Sequence, residues 1–147
     1  FRGISMCSLG LEINAYIKAY DADGNEIGRD ELVTAADETK LTISAEEPVI
    51  KADGEDLAYI SVEITDNSGI RKMLSDRKVT VTVSGAGTLA AVGSAACRTE
   101  ESYLGNSFTT HNGRMIAIVR SNGTEGNIYV TAEAEDLDAV SITVAAK

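Results

Sequence analysis

The sequence contains no tryptophan, one proline (Pro48), one histidine (His111) and two cysteines, Cys7 and Cys97. Each shortage excludes something. A single histidine and two cysteines far apart leave no spacing suited to a zinc ion or other metal, and they are too few for a disulfide framework, so both thiols are expected to be free. A serine or cysteine nucleophile needs a base beside it, and His111 stands next to Asn112-Gly113, where a turn is expected to leave it exposed. Basic residues are scarce as well: 13 Lys and Arg face 23 Asp and Glu, a net charge of −10. Nucleic acid requires a concentrated positive footprint. A helix needs about 20 apolar residues to cross a bilayer, and no window comes close. Neither nucleic acid nor a membrane is therefore expected as a partner.

What is present points to strands. Thirteen glycines and abundant Val, Ile and Thr accompany an apolar share of 44%, ordinary for a chain with a core. FRGISMCSLG at 1–10 has no period and reads as irregular. From Leu11 the chain alternates, with Ile13, Ala15, Ile17 and Ala19 on one face of a half-buried strand; DADGN turns it, and 26–34 returns as the second strand of a hairpin. Residues 34–37 read as a joint. Leu41, Ile43 and Ala45 then face inward, and Pro48 splits an edge strand before Val49 and Ile50 resume it.

The clearest alternation is Ala58, Ile60, Val62 and Ile64. Val79, Val81 and Val83 form a further inward face, followed by a short strand at 88–92, a poor one at 106–109, and an apolar strand at 114–120 whose Ile116, Ile118 and Val119 are expected to be buried. Strands at 127–134 and 138–145 close the chain. Short strands at this spacing, joined by Gly and Asp turns, describe a β-sandwich.

Several segments admit a chemical reading beside the plain one. Asp21, Asp23 and Asn25 alternate as calcium ligands do, but Gly24 and Leu32 occupy the wrong positions for a calcium loop, so a turn is expected. Arg71, Lys72, Arg77 and Lys78 suggest an anion site; with Asp66 and Asp76 among them, a solvated loop is expected instead. Gly85-Ala86-Gly87 lacks the Lys of a phosphate loop, and Asn122-Gly123-Thr124, though a glycosylation acceptor in form, reads as a turn. Glycoside hydrolysis needs two carboxylates at a fixed separation. Glu46-Glu47 and Glu100-Glu101 are chain neighbours, which point apart in an extended backbone. No catalytic, cofactor-binding or metal residue is expected. Glycan binding would draw on Tyr59, Tyr103 and Tyr129, with no tryptophan to help them.

The stretch AVGSAACRTEESYLGNSFTTHNGRMIAIVRS at 91–121 resembles the C-terminal immunoglobulin-like domain of bacterial family-two glycoside hydrolases, the β-galactosidase-like enzymes. There a segment G-S-A-x-P-x-T-E-E-S-Y precedes an N-G-R-A strand; here the matching residues are Gly93, Ser94, Ala95, Thr99, Glu100, Glu101, Ser102 and Tyr103, then Asn112, Gly113 and Arg114. Cys97 stands where relatives often carry proline. The resemblance runs back through KADGEDLAYISVEITD at 51–66 and on to the end of the chain, and a weaker one joins 19–35 to the last strands of the domain before it.

The resemblance implies an all-β, immunoglobulin-like β-sandwich of the invasin and adhesin type at 39–147, preceded at 1–38 by a hairpin left from another β domain. It implies a non-catalytic module with no cofactor. Its partners would be the other domains of a parent glycosidase, with a second subunit or glycans as further candidates. Those enzymes keep their carboxylates in a separate (β/α)₈ barrel, whose alternating pattern is missing here. The alternatives from other classes are an adhesin-type repeat and an accessory carbohydrate-binding module. With Phe1 first and no basic-then-apolar opening, no secretory signal is expected, and the chain reads as a piece of something longer, cytoplasmic or exported as its parent is.

Overall fold

A computed structural model describes residues 6–7 and 14–147. Among them all regular structure is strand: β1 (Met6–Cys7), β2 (Asn14–Tyr20), β3 (Glu26–Leu32), β4 (Lys40–Ala45), β5 (Val49–Ile50), β6 (Leu57–Thr65), β7 (Lys78–Gly85), β8 (Gly87–Gly93), β9 (Ser107–Thr109), β10 (Arg114–Ser121), β11 (Gly126–Ala134) and β12 (Leu137–Ala146). Three sheets result, in the orders β1-β2-β3, β4-β6-β10-β8 and β5-β12-β11-β7-β9. The last two form the sandwich. Every pairing is antiparallel except β5 with β12.

The core follows from the two-residue period. Ile60, Val62 and Ile64 of β6 and Met115, Ala117 and Val119 of β10 line one inner face, and Val79, Val81, Ile128, Val130 and Ala132 line the other, all essentially inaccessible to water. Each such Val or Ile contributes roughly 1.5–3 kcal/mol by leaving water. The short β9, with only one large apolar residue, contributes Phe108, the largest buried side chain.

Pro48 acts as expected and does more. The strand it interrupts leaves one sheet for the other: β4 pairs with β6, while β5 pairs in parallel with β12. A second transfer occurs at Gly85-Ala86-Gly87, between β7 and β8 of opposite sheets. Gly85 has φ +88°, and a Cβ there would lie 2.2 Å from the Asn127 carbonyl oxygen. That carbonyl accepts the Ala86 N–H at 3.0 Å, so the chain cannot back away.

Four expectations need correction. In β10, Met115, Ala117, Val119 and Ser121 point inward, while Ile116 is 37% exposed and Ile118 only partly covered. The central register decides this: Ala117 lies opposite Ile60 and Met115 opposite Val62, and directly opposed residues share a face. Within the stretch expected to be irregular, Met6–Cys7 forms β1, paired with Asn14 and Ala15. The opening hairpin is not half-buried. β3 is exposed throughout, and Ile17 and Leu32 are 60% and 71% accessible, because two strands and a short third offer no opposing layer. Residues 11–13 of the expected strand fall outside those described. Finally, the 66–77 loop is not simply solvated: Asp66 is buried and Lys72 is held by the joint, as described below.

Replacing Gly85 with Ala is expected to cost at least about 2 kcal/mol, since left-handed backbone and a backbone clash coincide. Gly69 has φ +84° with nothing near its Cβ position, so Gly69→Ala should cost only about 1 kcal/mol. Urea unfolding of both variants reads the difference; equal losses would show that the crossing is not sterically tight.

Candidate functional site

Strand register gathers four segments at one end of the sandwich. Lys40 lies opposite Thr65, Lys78 opposite Thr109, and Ile116 opposite Gly93. The joint at 33–39, the loops at 66–77 and 94–106, and the turn at 110–113 therefore meet there.

Within the 94–106 loop the motif residues hold backbone. Thr99 Oγ1 accepts the Glu101 N–H at 3.0 Å, and the Glu101 carboxylate accepts the Thr109 N–H and hydroxyl, each at 3.0 Å. Ser102 Oγ accepts the Leu104 N–H. The Tyr103 carbonyl accepts the Val92 N–H at 2.9 Å, and its ring stacks on Phe108 with centroids 5.3 Å apart. A Cβ on Gly93 would meet that ring at 3.2 Å. Cys97 is exposed and free. In the turn, Asn112 and Gly113 both take left-handed φ, +53° and +70°, and the Gly113 carbonyl accepts the Ile64 N–H at 2.8 Å. Gly113 N–H donates to Asp76 Oδ1 at 2.9 Å, which locks the turn to the 66–77 loop.

The carboxylates are arranged for structure too. Asp21 Oδ1 accepts the Asp23 and Asn25 N–H groups, so it closes its own turn; the Asn25 side-chain amide, above all, holds its pKa below the usual carboxylate range. The Glu55 and then the Asp56 N–H groups lower Asp53 in the same way. Asp66 is 2% exposed. Oδ2 accepts the Ala36 N–H at 2.9 Å and Oδ1 accepts those of Ile70 and Ser68, so its pKa is lowered, chiefly by Ala36, although burial opposes the shift. A general acid for glycoside cleavage needs the opposite shift. Across the same joint, the Lys72 ammonium donates to the carbonyls of Ala36 (2.9 Å), Asp37 (2.7 Å) and Glu38 (3.1 Å) and to Thr39 Oγ1 (3.0 Å). Asp66 and Lys72 together clamp the connection leading to β4.

One pocket of about 310 Å³ opens at this end, lined by Arg71, Ser94, Ala95, His111, Asn112, Arg114, Met115 and Ile116. His111 is half-buried in its wall, which corrects the expectation of an exposed turn residue: its backbone pairs with Arg114 in both directions and holds the residue against the pocket. Glu63 Oε1 accepts from Arg114 Nε at 2.6 Å and lies 3.8 Å from the Arg71 guanidinium. The three tyrosines do not share a platform. Tyr59 is exposed on the outer face of the β6 sheet and Tyr129 on the outer face of the β11 sheet, so the sandwich separates them. Sequence reasoning missed the pocket as well as the Asp66 and Lys72 clamp; five charged or polar residues from three segments line the pocket, and nothing local links them.

The fold defines the class: an immunoglobulin-like β-sandwich whose distinctive loop residues brace backbone. More narrowly, the chain belongs to the family of the glycoside hydrolase family 2 C-terminal domain 5, whose model matches residues 41–143. It is 24% identical over 124 residues to the β-galactosidase BoGH2A of Bacteroides ovatus, an alignment covering 84% of this chain and 15% of that protein. The crystal structure of a glycosyl hydrolase family 2 member from Bacteroides cellulosilyticus superposes with a TM-score of 0.85 at 36% identity, over 92% of this chain and 17% of that one. The D00-D0 domain of intimin shares the fold, with a TM-score of 0.57 at 20% identity, covering 94% of this chain and 65% of that one. The chain thus spans about a sixth of the length of its glycosidase relatives.

The folded pKa of Asp66 lies below the about 3.9 of an unfolded Asp, so its contribution is fully present above that pH and is lost as pH falls through the folded value. Asp66→Asn is therefore expected to lower the urea midpoint at pH 7 and to flatten its decline between pH 5 and 3; a parallel decline would remove Asp66 from the acid limb. Lys72→Met should speed limited proteolysis within 34–39, with mass spectrometry locating the cut; an unchanged rate would mean that the ammonium does not hold the joint.

Proposed function

We propose that this chain is the non-catalytic C-terminal β-sandwich portion of a family 2, β-galactosidase-like glycoside hydrolase, with a packing role toward the rest of that enzyme. Residues 39–147 are the sandwich, and 1–38 carry strands that complete a neighbouring β domain. The observation that carries this reading is the disposition of the loop-end carboxylates: Glu101 and Asp66 are bound to backbone, and Glu63 is paired with arginine. Each of these three is engaged in holding the fold, which fits a packing role better than proton transfer or nucleophilic attack. The exposed apolar side chains of the hairpin, Ile17, Ile27 and Leu32, fit strands that are covered when the rest of the enzyme is present. The loop at 94–106, rigid by its internal hydrogen bonds and presenting Leu104 to solvent, suits a rim that faces the catalytic part.

The separation of Tyr59 from Tyr129 counts against an autonomous glycan-binding module, for which aromatic residues would share one face. Incubating the pure chain with nitrophenyl galactosides, glucosides and glucuronides should give no release above the uncatalysed rate. Turnover that survives Glu101→Gln but is lost with another carboxylate, or any turnover proportional to protein, would sink the proposal.

A further inference from the structure

We infer that the pocket between the 66–77 loop, Ser94-Ala95 and the 110–116 segment binds a carboxylate. The inference rests on the side chains that line it and does not depend on the packing role. Arg71 is half-buried, its side chain 29% exposed, and its guanidinium makes no hydrogen bond among the described residues and has only the 3.8 Å ion pair with Glu63. Its donors are therefore turned to the pocket and solvent with no acceptor from the described residues, free to meet an incoming anion. Ser94 Oγ is buried without a hydrogen-bond partner among the described residues. His111 lines the same wall, and its ring makes no hydrogen bond among the described residues. Three segments thus bring underused donors to one place.

The charge balance agrees. Arg71 and Arg114 contribute two positive charges and Glu63 one negative, leaving a net positive site on a chain of net charge −10. Asp76 is engaged with Gly113 N–H and the Thr110 hydroxyl and does not line the pocket. The walls are built rather than floppy: Arg114 is held by Glu63, Arg71 bridges to Thr65, and a Cβ at Gly113 would lie 2.5 Å from the Lys72 carbonyl oxygen. A planar guanidinium matches a carboxylate's two oxygens. Met115, Ile116 and Ala95 supply an apolar floor, and about 310 Å³ admits one sugar ring or one acidic side chain. The carboxylate has two possible sources with the same chemistry, an acidic monosaccharide or an Asp or Glu from another protein segment.

The test is titration of the isotope-labelled chain with sodium acetate, sodium glucuronate and glucose at constant ionic strength, following the amide signals of Ser94, His111 and Arg114. Saturable shifts with both carboxylates and none with glucose are expected. Glucuronate binding at least tenfold tighter than acetate assigns the sugar source, and equal binding assigns the side-chain source. Arg71→Gln should weaken binding tenfold or more, while Arg120→Gln, at the opposite end of β10, should leave it unchanged. Should Arg71→Gln fail to fold, Arg71→Lys keeps the charge but loses the fork and should weaken binding severalfold. Absence of saturation with either carboxylate, equal shifts with glucose, or indifference to both Arg71 variants overturns the inference, and leaves the packing role standing.

Discussion

The structure depends on β10 being hydrogen-bonded on both sides. Placed between β6 and β8, it runs in one unbroken register against β6, so that Met115, Ala117 and Val119 must face the same way as Val62, Ile60 and Ala58, while the pairing with β8 shifts between Ile118 and Val119. A slip of one residue would turn Ile116 and Ile118 inward and expose that row, which a sandwich with one buried face cannot tolerate. Because β10 also begins beside the 110–113 turn, the same register brings that turn against the 66–77 loop. Core and loop end are thus consequences of one pairing.

The motif through which the family resemblance is recognised is a folding device. Thr99, Glu101, Ser102 and Tyr103 each satisfy or shield backbone of a long loop, and Asn112-Gly113 makes a left-handed turn that Cβ-bearing residues resist. A loop of this length carries many polar groups that strands would otherwise pair. Tying Glu101 to β9 also keeps Phe108 seated beneath Tyr103. Residues that look chemically promising side by side, Glu101 with Ser102 and Tyr103, are thereby committed to architecture.

Charge is used in the same way at the joint. Asp66 accepts the N–H groups of Ala36, Ser68 and Ile70 while Lys72 donates to the carbonyls of Ala36, Asp37 and Glu38, so an acid and a base clamp one connection and meet at Ala36. Ionised groups make stronger hydrogen bonds than neutral ones. This holds the passage from the opening strands to β4 where a flexible linker would otherwise stand. Arg71, the neighbour of Lys72, lacks such an assignment, and that contrast singles out the pocket.

Period-two alternation alone determined the strands from β4 onward, within a residue or two at most ends, together with the sandwich class, because burial on one face leaves its mark on each strand separately. Turn positions such as Asp21 and Asn112 were equally legible, since left-handed backbone and Asx hydrogen bonds are local matters. Three things were decided only in three dimensions. The inward phase of β10 was ambiguous because Met115, Ile116, Ala117, Ile118 and Val119 are all apolar, and only its neighbours' register selects the face. The opening hairpin has the same alternation as a buried strand, yet none of the described residues lies over it, since alternation records which face is apolar and not what covers it. The pocket unites Arg71, Ser94 and His111 from loops whose meeting is set by strand pairing tens of residues away, a proximity that no local pattern encodes.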